Sequence, residues 1–76
     1  MDGLRYRFVV DGELSPRYAP LFEGMTLDAH DGRTEIVGVV KDQSQLQGVL
    51  ARIANNGLAL ISVSPEDAAD VENRGA

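Results

Sequence analysis

No cysteine occurs in this 76-residue chain, which removes disulfide staples, thiolate zinc sites and cysteine nucleophiles together. Basic charge is scarce as well: seven Lys and Arg stand against twelve Asp and Glu, a net charge of -5. A phosphate backbone needs the opposite balance to release counterions on binding, so nucleic acid is not expected as a partner. Long apolar runs are missing too. The N-terminal MDGLRYRFVV holds fewer consecutive apolar residues than a secretory segment needs, and nothing in the chain approaches a membrane span. No phosphate-binding glycine loop follows a strand end. These absences predict a soluble cytoplasmic protein with no membrane contact and no cofactor.

What is present reads as one domain over residues 1–76, ordered over about residues 4–65 and followed by an acidic tail, residues 66–76. A chain this short buries only about 60% of the surface its unfolded form exposes. With no disulfide or metal staple, association is the remaining source of buried surface, and a homodimer is expected.

The clearest local signal is DQSQLQGVLARIANNGLALISVSP, Asp42 to Pro65. Asp42 with Gln45 three places later reads as a capping box. Leu46, Val49, Leu50 and Ile53 recur on one helical face, with Leu50 and Ile53 expected toward the sheet. Asn56-Gly57 stops the helix. Leu58 to Val63 is then a short β-branched run, expected as a largely buried strand. Upstream, Leu4 to Asp11 alternates, with Tyr6, Phe8 and Val10 on one side. Ser15-Pro16 suits a helix start, but Pro20 forbids a regular middle, so residues 15–22 are expected to form a short or irregular first helix. Met25 to His30 and Thr34 to Lys41 alternate on either side of Asp31-Gly32, a dipeptide suited to a tight hairpin. Gly38 is expected to mark a bulge or the close approach of the long helix.

This order predicts an α+β domain, the ferredoxin-like βαββαβ arrangement, with both helices on one face of a four-stranded antiparallel sheet. The alternative is ββαβ with residues 12–24 as loop. Either way the second face stays bare, presenting Arg7, Asp11, Thr26, Asp28, His30 and Glu35 around Val9, Val37 and Val39. The three valines are expected to form one contiguous apolar centre.

Two resemblances attach to these residues. Thr34 to Val63, with its capped helix and the strand LALISV, resembles the strand-helix-strand unit of ACT regulatory domains. That resemblance implies pairing through sheets or helices and a small effector held at a subunit interface. Tyr6, Gly12, Leu14, Tyr18, Gly24, Asp31-Gly32, Gly38, Asp42-Gln43, Leu46, Gly48-Val49-Leu50, Arg52-Ile53, Gly57-Leu58 and Ser62-Val63 are together similar to small stand-alone bacterial proteins of actinobacterial type. This second resemblance covers nearly the whole chain and implies the fold but no activity. Gln47 stands where many of those proteins have histidine.

Chemistry is thinly represented. His30, the single histidine, shares a strand face with Asp28, but a divalent metal wants three or four convergent ligands. It is read as a solvated turn residue, and no metal ligand is assigned. No nucleophile or oxyanion donors can be named beside it, so no catalytic residue is assigned and an enzyme ranks last. Glu66, Asp67 and Asp70 read as a solvated acidic run. Arg5 and Arg7 are expected to be neutralised across strands by Asp28 and Glu35. Gly48, with Ala51, makes a small-residue strip on the outer side of the helix, a second candidate interface. The functional expectation is a small non-catalytic interaction or regulatory module, oligomeric. The alternative is an ACT-like ligand-binding module with contacts at Lys41, Asp42 and Gln43, where helix donors meet an anion.

Overall fold

The structure, a computed structural model, describes residues 3–66. Four strands, β1 (Leu4–Asp11), β2 (Thr26–His30), β3 (Arg33–Val40) and β4 (Leu60–Pro65), form one antiparallel sheet in the order β2-β3-β1-β4. One α-helix, α1 (Gln43–Asn55), connects β3 to β4. A 3₁₀ segment, Pro16–Phe22, stands where the first helix was expected. The split connection through α1 and the strand order fit a ferredoxin-like α+β fold.

Local chemistry accounts for each boundary. Pro16 enters the 3₁₀ segment and Pro20 lies inside it. In an α-helix the ring of Pro20 would meet the carbonyl of Pro16, and its missing N–H would break the ladder. The segment stays tight and short, and it drives Phe22 into the core, where it is buried. Between β2 and β3 the turn puts Asp31 at φ 54° and Gly32 at φ 78°, the pair of positive angles that matches strand twist in a two-residue hairpin. At α1, Gln45 N donates to Asp42 Oδ1 at 2.8 Å, and Gln45 Oε1 accepts from Lys41 N at 2.7 Å. The capping box therefore forms, reaching one residue further back than the usual reciprocal bond.

The core lies between α1, the 3₁₀ segment and one sheet face. Phe8 and Val10 from β1, Ile36 and Val40 from β3, Val49 and Ile53 from α1, and Phe22 make it up. Thr34 is the one buried polar side chain among the described residues. Its hydroxyl accepts from Leu14 N at 2.9 Å and donates to Gly12 O at 2.8 Å, so it ties the loop after β1 to the sheet and leaves no buried polar atom unpaired.

Four expectations are corrected. The helix turns Val49 and Ile53 fully inward and leaves Leu50 and Leu46 half-buried, so the buried ridge is centred one residue earlier than the spacing suggested. Gly38 makes room for Met25 rather than for the helix: a methyl built there would lie 2.6 Å from Met25 Cγ. β4 is no buried strand. It runs along the sheet edge, with Leu60 43% and Ile61 47% exposed. A register shift sets Val9 opposite Ser62 but Val10 opposite Leu60, leaving Ile61 as the extra residue of a bulge, a common device at sheet edges. An apolar run without alternation cannot by itself distinguish an edge strand from a central one. Finally, Arg7 approaches Glu35 as expected, while Glu66 and not Asp28 stands beside Arg5, as described below. The acidic run at Asp67 and Asp70, and the tail as a whole beyond Glu66, lie outside the described residues.

Candidate functional site

Alternation along the strands sends one residue in two to the face that no helix covers. The register sets Arg5 opposite Val39, Arg7 opposite Val37, Val9 opposite Glu35 and Asp11 opposite Arg33 on β1 and β3. It adds Asp28 opposite Glu35 and Thr26 opposite Val37 from β2, and Ser62 and Ser64 opposite Val9 and Arg7 from β4. Val9 and Val37 are half-buried and Val39 is 44% exposed. Across the β1–β3 pair each valine sits opposite a charged residue, with Val37 and Val39 successive on the same face of β3 and Val9 diagonal to Val37.

The charges form a chain across the sheet. Glu66, just beyond β4, reaches Arg7 at 2.7 Å and Arg5 at 3.9 Å. Arg7 approaches Glu35 at 3.8 Å, and Glu35 in turn lies 3.5 Å from His30 Nε2. His30 also faces Asp28 at 4.0 Å and Asp31 at 3.4 Å. Glu66 is therefore a partner of both arginines rather than part of a solvated tail, and Asp28 turns to His30 instead of to an arginine. The side-chain bond to Asp31, together with the Asp28 and Glu35 carboxylates, holds the His30 imidazole above its ordinary pKa of 6.5, since each favours the protonated ring.

The other sequence candidates fall elsewhere. Lys41, Asp42 and Gln43 line a shallow depression of about 330 Å³ with Tyr6, Val40 and Leu46. Several donors around the helix entrance are engaged: Gln45 N by the Asp42 carboxylate, Lys41 N by Gln45, and Leu46 N by Asp42 O. An anion there would also meet the charge of Asp42 itself. Gly48 has open space around it, with nothing within 4 Å of a built Cβ, and Ala51 is exposed. The strip is real as geometry, but α1 covers the opposite side of the domain from the valines. Among the described residues no group of three or more His, Asp or Glu side chains is arranged to hold a metal ion. No helix among them is long and apolar enough to cross a membrane.

Sequence reasoning missed two features of the face: the role of Glu66, and the interleaving of valine with charge. The first had no local signal, because residues 59 positions apart meet only once β4 has paired with β1. The second was legible in principle, since the period of two on β1 and β3 fixes each face and only the pairing register was needed to set valine against charge.

Fold and face together define a small ferredoxin-like α+β domain with one side of its sheet uncovered. The chain belongs to a family described as a domain of unknown function, DUF8691, whose model matches residues 5–64. No curated protein and no solved structure matches it.

Proposed function

We propose that the protein is a small, cytoplasmic, non-catalytic interaction module that works as a homo-oligomer through the open face of its sheet. One observation carries this reading. Among the described residues the open face holds three arginines, Arg5, Arg7 and Arg33, against four carboxylates, Asp11, Asp28, Glu35 and Glu66, with His30 beside them. The face is thus nearly neutral on a chain of net charge -5, and two copies can meet there without the repulsion that the rest of the surface imposes. Three valines supply the apolar part, and the charged side chains supply a polar surround.

Size sets the strength. Strands about 4.8 Å apart and up to eight residues long give a face on the order of 500 Å². A standard stable interface buries about 800 Å² per partner, so the contact belongs at the weak end, with micromolar dissociation.

Light scattering across micromolar concentrations tests the reading. A concentration-dependent dimer is expected, split by Val37→Lys and unaffected by Gly48→Lys. A monomer mass at every concentration ends the proposal, and the reverse pattern of variants moves the contact to the helix.

A further inference from the structure

The centre of the open face is a block of four residues. Arg7 lies opposite Val37, and Val9 lies opposite Glu35, so valines occupy one diagonal of the block and opposite charges the other. Two copies meeting face to face about a two-fold axis have few simple arrangements. An axis along the strands sets Arg7 on the partner's Val37, and an axis across them sets Arg7 on the partner's Val9. Both press Arg7 and Glu35, which already pair within their own copy, against hydrocarbon, so their desolvation is offset by no new charge contact across the interface. An axis along the charged diagonal sets Arg7 on the partner's Arg7. Only the valine diagonal remains. It places Val37 on the partner's Val37, Val9 on the partner's Val9, and Arg7 on the partner's Glu35, twice by symmetry.

We infer that a second copy of this chain docks on the open face with the two sheets crossed at about 90°, one of the two standard sheet packings, its two-fold axis running along the Val9–Val37 diagonal. This rests on the self-association reading above and adds the orientation. The rim agrees with the centre. The same axis carries Asp28 to the partner's Arg5 and Glu66 to the partner's His30, while Asp11 and Arg33 fall against the partner's Ser62 and Ser64. No two like charges face each other. Residues two apart along a strand are spaced roughly 6.7 Å against 4.8 Å between strands, so rim pairs are offset by a few ångströms, within the reach of arginine and glutamate side chains.

Asp28 and Arg5 provide the test, because β3 lies between their strands in one copy and neither pairs with the other there: Asp28 faces His30 and Arg5 faces Glu66. Both are exposed, so charge reversal leaves the core untouched. Sedimentation equilibrium at low salt on the full chain is expected to show Asp28→Arg and Arg5→Glu each weakening the dimer by roughly tenfold, and the double variant recovering most of that loss, as a direct charge pair requires. Circular dichroism confirms that each variant is folded. A double variant as weak as the two single losses combined overturns the crossed arrangement while a dimer still split by Val37→Lys leaves the self-association reading standing; a wild-type monomer overturns both.

Discussion

Ile53 and Leu50 separate two ways of reading the same helix. Both fall on the apolar stripe, yet Ile53 is 2% exposed while Leu50 is only half-buried. Truncating a fully buried aliphatic side chain removes its transfer free energy and leaves a cavity, so Ile53→Ala is expected to cost about 2 to 5 kcal/mol. Leu50→Ala should cost roughly 1 to 2 kcal/mol, because part of its side chain is already in water. Urea denaturation of the two variants checks the order; a larger loss at Leu50 would mean that α1 is rotated by a residue. His30 gives the pH-dependent counterpart. Its folded pKa is raised by Asp31, Asp28 and Glu35, so the folded state binds the proton more tightly than the unfolded chain. The resulting stabilisation is fully present below the unfolded value of about 6.5 and is lost as pH rises through the folded pKa. The ring is solvated, and salt screens it, so the effect is small. An NMR titration of the imidazole should give a pKa above that of the urea-unfolded chain, and equal values would remove the effect.

At the scale of the element, α1 shows what local rules settle. Asp42 and Gln45 cap it, and Gly57 at φ 72° ends it, as the spacing required. Gly48 in the middle obeys no such rule. With nothing within 4 Å of a built Cβ, Gly48→Ala should stabilise the helix by about 1 kcal/mol through its better propensity alone. A raised urea midpoint with an unchanged dimer mass is the expected result. If the substitution weakens association instead, the outer strip of α1 is an interface and glycine is kept there for close approach. The 3₁₀ segment is the complementary case: two prolines four residues apart forbid the helix that the fold class would supply, and only the segment's depth in the core, set by Phe22, had to come from packing.

For the whole molecule, the division of labour between faces matters most. One side of the sheet takes α1, the 3₁₀ segment and every fully buried hydrophobic residue. The other takes the valines and the chain of ion pairs from Glu66 to Asp28. Exposed pairs of this kind add little to stability individually, with a median of about 0 to 1 kcal/mol. In the proposed self-association their consequence lies in what the face can meet: a nearly neutral pattern on an acidic molecule lets a second copy approach.

Periodicity and turn chemistry by themselves determined which residues share a face, where the hairpin turns, where α1 is capped and stopped, and that one sheet face would be bare. Each of these depends on neighbours within a few positions, so the information is local. Three things came only with the tertiary structure. Ile61 became the bulge of an exposed edge strand, because edge or centre is a property of the strand order and not of an apolar run. Thr34 became a buried hydrogen-bonded tie, because its partners at Gly12 and Leu14 arrive from another part of the chain. Glu66 became the partner of Arg5 and Arg7 when β4 paired with β1, bringing together charges that the sequence holds far apart.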